Sequence, residues 1–375
     1  MVQHYLECTR CAHRMTPNMK TLGCEKCGSP LDVGYGTDTK KIGYDDRLGM
    51  HIPLPVESVD SLMAVSLGEG NTPTVRLGAA GALLKAENLH AKLEYLSPTG
   101  SFKDRGTVVM LAMAADAGVK EVVEDSSGNA GASVSAYSAR AGIKAHIFAP
   151  ATAPVAKLRQ IKAYGATVHS IEGPREATTA AAVAFYKERG MVYTSHVMSP
   201  YFAEGTKVFA YEVVEQMAGN LPDHIVFPVG NGSLIIGAWN GFSELHRAGR
   251  IERIPRLHCV QARGVMPLVT AATGEQRPAG VAGTIAGGIA VGSPARKDQV
   301  VRVAKATQGS VVAVDDSEIL RWQKLLCEHE GIYGEPTSAA AFAGVEALIR
   351  SGAISTADRT LVPVTGFGLK DVPAG

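Results

Sequence analysis

The chain has 375 residues, of which 46% are apolar and 19% charged, with 37 basic residues against 36 acidic ones. That length gives room for a large core in two lobes, the composition excludes a disordered chain, and the balanced charge gives no reason to expect a nucleic-acid partner. No apolar run reaches membrane-spanning length, since the longest candidate, "VAGTIAGGIAVGSPA", is rich in glycine and broken by proline.

The opening "MVQHYLECTRC" carries no apolar signal core, so the expected compartment is the cytoplasm. Cys8, Cys11, Cys24 and Cys27 then form two Cys-x2-Cys pairs. Such knuckles supply two thiolates each from a tight turn, and four thiolates are what tetrahedral zinc takes. A closed four-thiolate site has no open position, so the expected zinc is structural. The plain alternative is a chance cluster, which the doubled spacing argues against. Cys259 and Cys327 stand alone and read as thiols in a reducing compartment. The turn-rich "CGSPLDVGYGTDTK" that follows reads as a linker behind a small appendage.

From about Leu83 onward, short apolar runs alternate with alanine-rich helical stretches. "AKLEYL" precedes "SFKDRGTVVMLAMAADAG", "EVVED" precedes "NAGASVSAYSARAG", and "AHIFAP" precedes "APVAKLRQIKAYGA". "TVHSIE" precedes "EATTAAAVAFYKERG", and "HIVFPVG" precedes "GSLIIGAWNGFSELHRAG". Strands separated by helices of that length predict βαβ units and an α/β fold with mainly parallel sheets. Ligands of such sheets lie beyond the carboxyl ends of the strands, in the turns that enter helices.

Four of those turns carry chemistry. In "LEYLSPTGSFKDRG", Lys103 falls in the first turn of a helix, where the dipole already makes the field positive. A surface lysine is the ordinary outcome. Here Phe102 and the following "TVVMLAMAA" predict a buried helix, and a desolvated lysine at a helix start loses affinity for its proton. An unprotonated amine attacks a carbonyl to form a Schiff base. In "EDSSGNAGAS", Ser126, Ser127, Gly128 and Asn129 point hydroxyls and N–H groups at one spot, which suits a carboxylate; a simple helix cap is the alternative. In "PVGNGSL", Gly230, Asn231, Gly232 and Ser233 open an apolar helix in the manner of a phosphate cradle, although the turn is neither a P-loop nor a GxGxxG fingerprint. In "LVPVTGFGLKD", Thr365 ends a strand with a neutral hydroxyl, or is merely a turn threonine.

Taken in order, "SPTGSFKDRG", "SSGNAGAS", "PVGNGSL", "EPTSAAA" and "TGFGLKD" resemble the motifs of the fold-type II pyridoxal-phosphate enzymes, the tryptophan synthase β-like superfamily, and most closely the threonine synthase family. The resemblance covers nearly the whole chain and implies a two-lobed fold. It places a zinc-ribbon-like segment at 1–35, a large cofactor-binding lobe at 36–98 and 206–375, and a small lobe at 99–205. It implies that Lys103 holds pyridoxal 5′-phosphate and shuttles protons, and that Asn129 bonds the cofactor's phenolic oxygen. By the same resemblance Gly230, Asn231, Gly232 and Ser233 hold its phosphate, and Thr365 faces its ring nitrogen. Ser126, Ser127 and Gly128 would bind the substrate carboxylate, with Ala130 and Phe202 beside the substrate. The expected assembly is a homodimer acting on an amino acid, with no membrane or nucleic-acid partner.

Four positions depart from the family pattern. Ala130 stands for a threonine, Phe202 falls near a usual arginine, the cofactor loop reads Gly232-Ser233-Leu234 where the family usually ends it Gly-Asn, and Phe367 takes a histidine's place. Fewer phosphate-binding groups at the substrate are expected to weaken binding of a phosphorylated amino acid. Two activities therefore stand open: the threonine synthase reaction on O-phosphohomoserine, and an ammonia-lyase or β-replacement reaction on a different amino acid.

Overall fold

The structure is a computed structural model that describes residues 4–36, 44–45, 50–153 and 155–370. The chain divides into two compact units, one of Met1–Gly70, Ser97–Thr99 and Lys103–Val208, the other of Asn71–Leu96, Gly100–Phe102 and Phe209–Gly375.

The first unit opens with an antiparallel sheet ordered Arg14–Met15, His4–Cys8, Leu31–Tyr35. Its second sheet is parallel throughout, ordered Thr167–Ile171, Lys144–Pro150, Glu121–Glu124, Val192–Tyr193. The strand first in sequence, Glu121–Glu124, is thus interior, and the chain leaves it on one side but returns to its other side as Val192–Tyr193. Such a reversal opens a crevice beyond the carboxyl ends of the two strands. The helix Lys103–Asp116 is buried along most of its length, as its apolar run predicts. Gly106 permits close packing there, since a Cβ would fall 2.6 Å from the Phe202 ring. Phe202 lies on the helix Pro200–Thr206.

The second unit carries a six-stranded sheet ordered Val311–Val314, Arg256–Ala262, His224–Pro228, Thr360–Pro363, Leu89–Lys92, Thr74–Arg76. Every pairing is parallel except the last, at the edge. Leu89, Val226, Val260 and Val362 share a core with Trp322 and Phe342 of the helices Asp316–Glu330 and Pro336–Arg350. Each such buried side chain contributes roughly 1.5–3 kcal/mol. No helix among the described residues is long and apolar enough to cross a membrane.

The predicted alternation of strands and helices is present in order. One boundary differs. The run "AKLEYL" is strand only to Lys92, and Glu94–Leu96 turns as a 3₁₀ helix. The apolar pattern hid two tertiary contacts: buried Glu94 accepts a bond from Thr72 Oγ1 at 2.7 Å, and the Tyr95 N–H donates to the Val364 carbonyl at 3.0 Å.

At the amino ends of the strands in this second unit, a buried histidine pair has fixed tautomers. The Ser310 N–H donates to His258 Nδ1 at 2.9 Å, so His258 Nε2 carries its proton and donates to His224 Nδ1 at 2.9 Å. His224 Nε2 then donates to Asp358 Oδ2 at 3.1 Å. Burial, with His224 beside it, pushes His258 down to about 3, and burial also lowers His224 against the pull of Asp358. The folded protein therefore binds fewer protons than the unfolded chain below the ordinary histidine value of about 6.5. Stability is full above that pH and declines as pH falls from about 6.5 toward about 3, by a few kcal/mol. Urea midpoints across that range are expected to show the slope, and His258→Asn, which keeps the acceptor for Ser310, should flatten it. An equal slope in the variant would remove this pair as the cause.

Candidate active site

Lys103 is the first residue of its helix and is half-buried. Its position is stabilised by its neighbour. The buried carboxylate of Asp104 accepts from the Thr99 N–H at 2.7 Å and from Thr99 Oγ1 at 2.6 Å, closing the Ser-Pro-Thr turn onto the helix start. A carboxylate in the first turn also offsets the positive end of the dipole that Lys103 meets. Ser133 Oγ lies 2.7 Å from Asp104 Oδ1 and 2.8 Å from Thr107 Oγ1, and Thr107 donates to the Lys103 carbonyl. The start of this helix is thereby tied to the second turn of Asn129–Arg140, the helix that Asn129 begins. Lys103 Nζ stands 5.7 Å from the centre of the Phe202 ring.

Ser126, Ser127, Gly128 and Asn129 leave the carboxyl end of Glu121–Glu124, at the crevice between it and Val192–Tyr193. All four are half-buried, whereas Ala130 and Phe202 are buried. The turn is tight: Gly128 N–H donates to Ser126 Oγ at 3.3 Å, and a Cβ on Gly131 would fall 1.9 Å from the Ser126 carbonyl oxygen. Only a glycine at 131 allows the loop to close on its helix. Asp125 holds the other side, accepting from Arg175 Nη2 at 3.0 Å and Thr179 Oγ1 at 2.6 Å. Burial raises its carboxyl, but the Arg175 charge and the hydroxyls of Thr179 and Tyr193 outweigh that and hold it below its usual range.

In the second unit, Gly230, Asn231 and Gly232 follow His224–Pro228, and Ser233 begins the helix Ser233–Arg247. Gly232 has φ +86° and no space for a side chain, a Cβ lying 2.2 Å from Val300 Cγ2. The turn thus presents main-chain N–H groups at a long helix's positive end, the donor set a phosphate takes. Thr365 leaves the adjacent strand Thr360–Pro363 and is buried. Its Oγ1 lies 3.1 Å from Ser338 Oγ, which also accepts from the Gly366 N–H at 3.1 Å. The Phe102 N–H donates to the Thr365 carbonyl at 3.0 Å. Phe367 stacks on Tyr95 at 5.1 Å, and Leu234 is buried in its helix.

The residue types fit pyridoxal phosphate: an amine at a helix start, a glycine cradle for a phosphate, and a neutral hydroxyl held by another hydroxyl. Sequence reasoning missed Asp104 and Ser338, although "KD" at the helix start and "EPTS" were both in view. It also missed Glu124 and His196, which carry no local signal.

Near the amino terminus, the Sγ atoms of Cys8, Cys11, Cys24 and Cys27 all lie within 4.8 Å of one another. Cys8 and Cys27 are 3.5 Å apart, Cys11 and Cys24 3.6 Å, and Cys11 and Cys27 3.7 Å. Thiolates about 2.3 Å from one zinc in a tetrahedron would be about 3.8 Å apart. The N–H groups of Arg10 and Cys11 point at Cys8 Sγ, and that of Lys26 at Cys24 Sγ, each at 3.4 Å.

Comparison with known proteins adds three findings. Residues 65–366 match the model of a family described as pyridoxal-phosphate dependent enzyme. The chain is 36% identical to threonine synthase of Methanocaldococcus jannaschii, over 98% of this chain and 93% of that one. It is 37% identical to threonine synthase of a Bacillus species, over 82% and 85%. Among solved structures, maize serine racemase superposes with a TM-score of 0.69 at 24% identity, covering 83% of this chain and 93% of that one. That likeness concerns the fold.

Proposed function

This chain belongs to the pyridoxal-phosphate dependent enzymes, and from that premise we propose that it runs the threonine synthase reaction, O-phosphohomoserine and water giving threonine and phosphate. The observation that carries the reading is the 36% identity to a threonine synthase along 98% of the chain. When bound, the cofactor supplies an electron sink that acidifies the bonds to the substrate's α-carbon. Lys103 provides the amine that attaches the cofactor and then moves protons at its Nζ. Asn129 bonds the cofactor's phenolic oxygen, and the Gly230–Ser233 turn donates to its phosphate. Thr365, held by Ser338, stays neutral at the ring nitrogen, which suits elimination and replacement. Ser126, Ser127 and Gly128 orient the substrate carboxylate, and Ala130 and Phe202 limit the space for its side chain.

The same reading includes a lobe division at 1–35, 36–98 with 206–375, and 99–205, a homodimer, and a cytoplasmic location. The test is a substrate panel. Stoichiometric phosphate and threonine from O-phosphohomoserine is the expected result; ammonia and a 2-oxo acid from a plain amino acid, with no phosphate released, would install the ammonia-lyase instead.

The four cysteines hold one structural zinc in this reading, supported by their spacing and mutual distances. Metal analysis should find about one zinc per chain, and Cys8→Ser with Cys11→Ser should take it to near zero and lower thermal stability. Turnover per folded chain should change little, because a closed site offers no position to substrate. Metal-free wild-type protein with unchanged stability would end the assignment.

A further inference from the structure

Glu124 and His196 stand at the strand reversal of the first unit. Glu124 ends its strand immediately before the Asp125–Asn129 turn, and His196 follows the adjacent strand Val192–Tyr193. Glu124 Oε1 lies 2.8 Å from His196 Nδ1. Its other oxygen is buried and has no hydrogen-bond partner among the described residues. A buried carboxylate left half satisfied is costly unless it shares a proton or serves a ligand. Burial pushes Glu124 up, against the pull of His196, with Asp125 adding to the rise. Asp125 itself is engaged by Arg175 and Thr179.

With Nδ1 committed to a carboxylate, the ring is oriented and its Nε2 is the nitrogen left for a ligand. The imidazole keeps 12% of its side-chain surface exposed, so it is reachable. It meets the Phe202 ring edge-on, 6.1 Å between centres, and the same phenyl ring lies 5.7 Å from Lys103 Nζ. The ring thus belongs to the same neighbourhood as the reactive amine and the carboxylate-binding turn, where no role has yet been given to it.

We propose that His196, held by Glu124, is a specificity-determining residue that donates from Nε2 to the anionic side-chain group of the amino-acid substrate, a phosphate monoester. This rests on the threonine synthase reading for the identity of that group.

The holoenzyme and its His196→Asn, His196→Gln and Glu124→Gln variants provide the test. Asparagine reaches Glu124 as Nδ1 does but not the ligand, whereas the glutamine amide reaches the place of Nε2. His196→Asn should raise KM for O-phosphohomoserine about 10- to 100-fold, the effect of losing a charged hydrogen bond, with the smaller part of the loss in kcat. His196→Gln should recover part of it, and Glu124→Gln should shift KM in the same direction. Threonine, which lacks the phosphate, should titrate the cofactor absorbance with unchanged affinity in His196→Asn. An unchanged KM, or an equal loss for threonine, overturns the proposal. Wild-type enzyme that ignores O-phosphohomoserine sinks the threonine synthase reading alone. Inorganic phosphate binding then decides this one: a tenfold loss in His196→Asn keeps it, and no loss ends it.

Discussion

Replacing Lys103 with alanine is expected to reduce turnover by at least about 10³-fold, at the strong end of what a positioned acid–base group contributes. The visible absorbance of covalently attached cofactor should vanish, and borohydride should no longer fix cofactor to the peptide that contains residue 103. The fold should survive. Alanine is a good helix former, and Asp104, Thr99, Thr107 and Ser133 make contacts that hold the helix start. Retained activity with label on another lysine would show that Lys103 is not the attachment point.

Asp104→Ala should be the most destabilising single change near the site. The side chain is fully buried and accepts two bonds from Thr99, with Ser133 Oγ at 2.7 Å. Truncation strands the buried Thr99 N–H and hydroxyl and leaves the Ser133 hydroxyl only Thr107 Oγ1 at 2.8 Å, a loss of about 3–5 kcal/mol. Asp104→Asn should cost a smaller part, since the amide keeps the shape but turns a donor toward donors. Urea midpoints should fall with unchanged slope. A shift under about 1 kcal/mol for the alanine variant would mean that the Ser-Pro-Thr turn is held by something else. The same substitution removes the charge that offsets the helix dipole beside Lys103, so a loss of activity beyond the loss of folded protein is also expected.

These two residues show how far local reading reaches. Lys103 was legible because a strand, a glycine turn and an apolar helix follow one another within a few residues. Asp104, next to it, was equally visible as a letter, but its importance depends on Ser133, which is distant in sequence. Ser338 and Thr365 present the same case: each lies in a recognisable turn, and their 3.1 Å contact spans 27 residues. Glu124 and His196 are 72 residues apart, and neither spacing nor composition links them.

By itself the sequence determined the order of strands and helices, the glycine turns that end strands, the paired cysteines and the lysine at a helix start. Periodicity, turn chemistry and residue spacing act over a few residues, so they are written in the chain directly. The strand order did not follow from those signals. Placing Glu121–Glu124 between Lys144–Pro150 and Val192–Tyr193, and His224–Pro228 beside Thr360–Pro363, was decided by packing of the whole chain. That order brings the Asp125–Asn129 turn and His196 to one crevice, and the Gly230–Ser233 turn and Thr365 to the carboxyl ends of neighbouring strands. Side chains far apart in sequence meet only because burying the apolar faces of all the helices and sheets together selects one arrangement.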